Sequence, residues 1–222
     1  MKLPLLKINF IIILLLSGLS VYAQTKIKVA CIGNSITAGS INDQEDFEPY
    51  PFRLQVLLQN FRKDAYEVRN FGVSGRTVLK KTSDSYWKES KYNEVLAWEP
   101  DIVIIKFGTN DSKNNIWPYH KQEFYNDYIA FVNSIKALPS HPKIYICYSL
   151  AAFSGYAQIN DKVIREEIIP QVKKVALQSD ATYIDLYSAF TSKRNLIKSD
   201  GIHPTQNGAE FLANEIYEVI IK

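Results

Sequence analysis

Short apolar runs alternate with longer amphipathic stretches along most of this 222-residue chain. The runs Lys26–Ile32, Tyr66–Phe71, Asp101–Phe107, Lys143–Ser149 and Thr182–Leu186 are rich in β-branched and aromatic residues. Turn formers bound each of them, which predicts five strands. Three are largely apolar on both faces, through Ile27–Ile32, Ile102–Ile105 and Ile144–Cys147, as strands are when helices cover the sheet on each side. The stretches between them carry helical spacing. Pro51–Phe61 places Leu54, Leu57, Leu58 and Phe61 on one face. Tyr86–Trp98, Gln122–Leu138, Asn160–Leu177 and Gln206–Ile221 follow the same logic, with Pro170 predicting a kink or two segments in the fourth. Steady alternation of strand and helix predicts an α/β fold. We expect a flavodoxin-like three-layer α/β/α sandwich around a five-stranded parallel sheet of order 2-1-3-4-5. The ligand crevice of that order lies beyond the ends of strands 1 and 3, so chemistry is expected just after Ile32 and just after Phe107.

The first two dozen residues break the pattern. Lys2 and Lys7 precede an apolar run from Phe10 to Leu16, and Val21-Tyr22-Ala23 has the small-residue spacing a signal peptidase reads. This predicts a signal peptide over residues 1–23, cut after Ala23, and a secreted or periplasmic protein without a stable membrane anchor. The apolar run is short of the ~20 residues that span a bilayer comfortably. Cleavage would leave one medium domain, long enough to bury its own core. Losing Lys2 and Lys7 would lower the net charge from +3 to +1. Such a balance argues against nucleic acid, which favours a strongly basic face. Cys31 and Cys147 lie in separate apolar strands and are expected as buried free thiols. Two strand spacings of ~4.8 Å would separate them, beyond the ~7 Å reach of a disulfide.

Four segments stand at the expected strand ends and before the last helix. They are Gly33-Asn34-Ser35-Ile36-Thr37-Ala38-Gly39, Asn70-Phe71-Gly72-Val73-Ser74-Gly75, Gly108-Thr109-Asn110-Asp111 and Asp200-Gly201-Ile202-His203-Pro204. Taken singly, each has an ordinary explanation. A serine there can cap a helix, a glycine can serve a turn, and a histidine can lie on the surface.

Taken together and in this order, the segments resemble the four conserved blocks of the SGNH hydrolases, also called the GDSL family. The resemblance runs from Gly33 to Pro204. One departure exists, because the family's Gly-Asp-Ser reads Gly-Asn-Ser here, which alters the loop's charge but keeps the serine. The resemblance implies Ser35 as nucleophile, His203 as its general base and Asp200 as the group that orients the histidine. It implies an oxyanion hole from the backbone N–H groups of Ser35 and Gly72 and the side-chain amide of Asn110. Asp111 is expected to bond loop backbone near Asn110, and Cys147 and Ser149 to border the pocket. No metal or other cofactor is expected. His120 and His141 lack ligand spacing, and no glycine-rich phosphate loop or dinucleotide fingerprint occurs.

Six aromatic residues fall near the expected active face: Tyr86, Trp87, Trp117, Tyr119, Phe153 and Tyr156. The residues around the second and third blocks are similar to those of sialate- and xylan-type O-acetylesterases. The expected function is a secreted serine esterase that removes short acyl groups, acetyl above all, from carbohydrate through an acyl-enzyme. Its partner would be a small-molecule or glycan ester. The alternatives are a lysophospholipase or thioesterase of the same family, or a non-catalytic carbohydrate-binding module.

Overall fold

The computed structural model describes residues 25–39, 47–154 and 156–222; the signal peptide expected over residues 1–23 lies outside them. Strands β1 (Ile27–Gly33), β2 (Tyr66–Gly72), β3 (Ile102–Lys106), β4 (Lys143–Cys147) and β5 (Thr182–Ile184) form one parallel sheet. Their order is β2-β1-β3-β4-β5, as the alternation predicts. Register places Gly33 of β1 between Gly72 of β2 and Lys106 of β3, so three strand ends meet at one rim.

Strand residues alternate between the two faces, and each face builds its own core. Ala30, Ile32, Val103, Ile105 and Ile146 pack against α3 (Ser90–Trp98), α4 (Trp117–Lys136) and α6 (Ile169–Gln178) through Val95, Phe131 and Val172. On the other face Val29, Cys31, Ile104 and Cys147 meet α2 (Tyr50–Phe61) and α8 (Gln206–Ile220) through Leu54, Leu58, Leu212 and Ile216. This is the expected three-layer sandwich. Both cysteines are buried free thiols.

Several boundaries differ from the expectation for identifiable reasons. The helix expected over Tyr86–Trp98 opens as a 3₁₀ turn at Tyr86–Lys88, and extended Glu89 separates it from α3. Around Pro170 the expected helix divides into segments, as one of the two expectations had it. A π turn at Ile164–Ile168 follows the short α5 (Asp161–Val163), so the proline falls in the first turn of α6, where a missing N–H costs least. The last strand is shorter than expected because Asp185 caps α7 (Leu186–Thr191), accepting from the N–H and the hydroxyl of Ser188.

Candidate active site

Ser35 stands at the first position of α1 (Ser35–Ala38), immediately beyond the end of β1. Asn34 caps this short helix, its Oδ1 accepting the Ile36 N–H at 3.1 Å. The turn is too tight for a side chain at residue 33, where a Cβ would come within 2.7 Å of the Lys106 carbonyl oxygen. Half-buried Ser35 therefore points its hydroxyl out of a rigid corner. Its Oγ lies 2.8 Å from Nε2 of His203.

The histidine comes from the loop before α8, held by a single carboxylate. Asp200 Oδ1 accepts the backbone N–H groups of Ile202 at 2.8 Å and His203 at 3.0 Å, while Oδ2 lies 2.7 Å from His203 Nδ1. A carboxylate can only accept, so the Nδ1 proton points at Asp200 and leaves Nε2 free to accept from Ser35. Partial burial pushes the Asp200 carboxyl upward, but the bonds from Ile202, the His203 backbone and the His203 ring outweigh it and hold it below the usual range. Gly201 at φ +78° makes the corner possible, and a Cβ there would collide with Ser154.

The oxyanion donors need one correction. The N–H groups of Ile36, Thr37 and Ala38 go to Asn34 Oδ1 and to the Asn34 carbonyl, which leaves that of Ser35 for a ligand. Asn110 is nearly buried and spends one amide hydrogen on the Arg76 carbonyl at 3.1 Å, keeping the other. Gly72 does not fit the role expected of it. Its N–H donates to Asn70 Oδ1 at 2.9 Å, and a Cβ on it would meet the Ala38 backbone nitrogen at 2.3 Å. It is a packing glycine that lets α1 lie on β2, where the Asn70 amide also binds the Thr37 carbonyl at 2.8 Å. The pattern Asn70-x-Gly72 was itself the signal, since asparagine readily bonds the backbone two residues on. Gly75, at φ +80°, faces open space, and its N–H has no acceptor among the described residues.

Two ionisable groups are buried at the end of β3. Asp111 accepts the N–H of Gly108 at 2.9 Å and of Val78 at 2.9 Å, tying the Asn110 loop to the loop after β2. This is the loop-bonding role expected for it. Burial pushes its carboxyl up to about 6 against the pull of these donors. Lys106 is equally buried, and its Nζ finds no hydrogen-bond partner among the described residues. Desolvation pushes it down to about 8. Cys147 and Ser149 do not border the crevice as exposed groups. Both are buried, with the Ser149 hydroxyl donating to the Phe107 carbonyl at 3.2 Å.

The six aromatics separate cleanly. Tyr86 is fully buried, donating to the Phe71 carbonyl at 2.6 Å. Trp117 is buried with Nε1 on Glu167 at 2.8 Å, and Trp87 donates to the Val78 carbonyl at 2.9 Å within the aromatic core. Phe153 is partly buried under Arg194. Only Tyr119 and Tyr156 of the six stand out, at 78% and 58% exposure.

The model of the GDSL-like lipase/acylhydrolase family matches residues 31–211. An acetylxylan esterase of Xylanibacter ruminicola is 39% identical over 216 aligned residues, which cover 90% of this chain and 44% of that protein. The chain thus spans less than half the length of that relative. Among solved structures, a lipase/acylhydrolase from Enterococcus faecalis superposes with a TM-score of 0.69 at 25% identity, covering 87% of this chain and 94% of that one. An acetyl xylan esterase, at 22% identity and a TM-score of 0.66, covers 87% of this chain and all of that one, and shares the fold. With the family model matched over residues 31–211, the chain belongs to the GDSL-like lipase/acylhydrolase family, whose members are carboxylic ester hydrolases.

Proposed function

We propose that the protein is a serine esterase that removes acetyl groups from carbohydrate through an acyl-enzyme, acting outside the cytoplasm after residues 1–23 direct its export. The observation that carries this reading is the continuous chain of hydrogen bonds Ser35–His203–Asp200. His203 takes the Ser35 proton as Oγ attacks the ester carbonyl. The resulting oxyanion accepts from the Ser35 N–H, the free amide hydrogen of Asn110 and, in place of Gly72, the N–H of Gly75. Each such donor contributes roughly 10²–10³ in rate. His203 then returns the proton to the departing sugar hydroxyl, and water repeats the sequence to release acetate.

Two features favour a short acyl group on a sugar. The 39% identical relative is an acetylxylan esterase. The loop after β3 continues through polar Lys113-Asn114-Asn115, which would make a poor bed for a hydrocarbon chain. Every methylene sheltered in an apolar groove would add ~0.8 kcal/mol to binding. The specificity constant is therefore expected to fall steadily from acetate through butyrate to octanoate nitrophenyl esters. A rise toward octanoate would move the assignment to a lipase or thioesterase. Ser35→Ala is expected to fold normally and lose turnover by at least about 10⁴, together with labelling by a fluorophosphonate. Substantial turnover in that variant would remove the nucleophile from the scheme.

A further inference from the structure

We propose that Tyr119 and Tyr156 form a two-ring platform beside the crevice that holds the backbone of a polymeric xylan. The proposal rests on the carbohydrate reading above and adds the residues that would read the chain. Large aromatic side chains in this protein are mostly spent inside, as with fully buried Tyr50, Tyr86 and Tyr128. Tyr119 and Tyr156 are the opposite case. Among the described residues neither ring packs on another ring or under a cation, and neither hydroxyl is bonded.

Their placement ties them to the reaction. Tyr156 belongs to the segment between β4 and α5, which is clamped to the histidine loop. The Phe153 N–H donates to the Gly201 carbonyl at 2.8 Å, the Ser154 hydroxyl donates to the Asp200 carbonyl, and the Tyr156 N–H reaches Ser154 Oγ at 3.3 Å. Tyr119 lies in the first turn of α4, just past the loop that carries Asn110. The two segments are joined directly, with the Asn114 N–H donating to the Gln158 carbonyl at 3.0 Å and the Asn160 amide to Asn114 Oδ1 at 2.8 Å. One tyrosine is thus fixed to the loop of the base, the other to the loop of an oxyanion donor.

The backbone is also bent to present Tyr156. Ala157 and Gln158 follow it at φ +51° and +65°, a left-handed conformation that non-glycine residues adopt at a cost. The segments that carry the rings meet through the polar groups of Asn114, Gln158 and Asn160. Isolated aromatic faces among hydrogen-bonding amides suit a pyranose, which offers C–H groups on its face and hydroxyls at its edge. They do not suit a protein partner, which would call for a contiguous apolar patch.

The test compares wild type with Tyr119→Ala, Tyr156→Ala and the double variant on acetylated xylan and on nitrophenyl acetate. The double variant is expected to lose about tenfold in kcat/KM on the polymer, carried by KM, and less than twofold on the small ester. Tyr156→Phe should retain activity on the polymer, since the ring face is kept. Equal losses on both substrates, or no loss on the polymer, would overturn the platform. A second measurement separates this proposal from the one it rests on: retardation of Ser35→Ala protein by deacetylated xylan in native gels, with and without the two alanines. Retardation abolished by the alanines supports the platform even if no acetate is released from the polymer, in which case the acetylesterase reading fails alone. Absence of retardation by xylan in the Ser35→Ala protein would sink the platform and leave the esterase standing.

Discussion

Lys106 and Asp111 lie five residues apart at the end of the same central strand, both fully buried, and they are treated in opposite ways. Asp111 collects backbone donors from two loops, Val78 on one side and Gly108 on the other. Lys106 collects nothing. Burial drives each toward its neutral form, the carboxyl up to about 6 and the amine down to about 8. At neutral pH both still carry charge to a large extent. The difference lies in what the charge does: the carboxylate joins the loops that bear Gly75 and Asn110, whereas the ammonium lies among Cys147 and its apolar neighbours without a counterpart. A buried charge stabilises a fold only through the partners it gathers. Asp111 is therefore a positioning group for the oxyanion donors, and Lys106 is a local cost.

The largest expected effect breaks the satisfied member. Asp111→Ala strands the buried N–H groups of Val78 and Gly108, each worth about 1–3 kcal/mol when left unpaired. Stability should fall by about 3–5 kcal/mol, and kcat on nitrophenyl acetate should fall with it as Asn110 loses its fixed loop. Asp111→Asn keeps one acceptor oxygen and should recover part of both. Unfolding curves and initial rates on the two variants check this. An unchanged midpoint for the alanine variant would mean the two loops hold together without the carboxylate.

The sequence makes this contrast only half legible. The acid was readable, because Gly108-Thr109-Asn110-Asp111 follows a strand apolar on both faces and a short acid in such a turn bonds nearby backbone. The lysine was not. The order 2-1-3-4-5 already brings the end of Ile102-Val103-Ile104-Ile105-Lys106 to the crevice, but a lysine there ordinarily reaches water with its amine, and only the packing shows this one fully buried. The same distinction runs through the rest of the molecule. The strands and helices followed from periodicity, which is local, and the strand order from the common winding of a five-stranded chain of this kind. The assignment of Gly72 rather than Gly75 failed because it depends on where α1 presses against β2, a contact between segments more than thirty residues apart. Likewise the pattern could not say which aromatics face out, since Trp117 and Tyr119 are two residues apart on α4, one buried and one exposed.

The next effect sharpens the unsatisfied member. Lys106→Met replaces an amine by a thioether of similar length beside buried Cys147. If the ammonium is a cost without a return, removing it should stabilise the protein. A displacement from 10.5 to about 8 corresponds to about 3 kcal/mol at neutral pH. The gain should approach that figure, less whatever the methionine loses in fit, and activity on nitrophenyl acetate should stay within about twofold. A destabilised variant would show that Lys106 has a role the apolar surroundings conceal.

The smallest effect is the most diagnostic, because it assigns the cost to the charge and not to the shape of the side chain. Lys106 titrates at about 8 when folded and near 10.5 when unfolded, so between those values the unfolded chain binds the extra proton. Stability contributed by this site therefore rises with pH across the window. The full penalty is present below about pH 8 and is relieved progressively as pH climbs toward 10.5. Between pH 7 and pH 9 the relief amounts to about 1 kcal/mol. Lys106→Met has nothing to titrate there, so its advantage over wild type should shrink by that amount across the same interval. Urea unfolding of the two proteins at pH 7, 8 and 9 reads the difference directly, since other groups titrate alike in both and cancel. A constant gap would mean that the amine keeps a normal pKa through a partner gained in solution, whereas a change about twice as large would mean that it is already neutral at pH 7. Either outcome would end the contrast with Asp111, because Lys106 would then carry no unbalanced charge to compare.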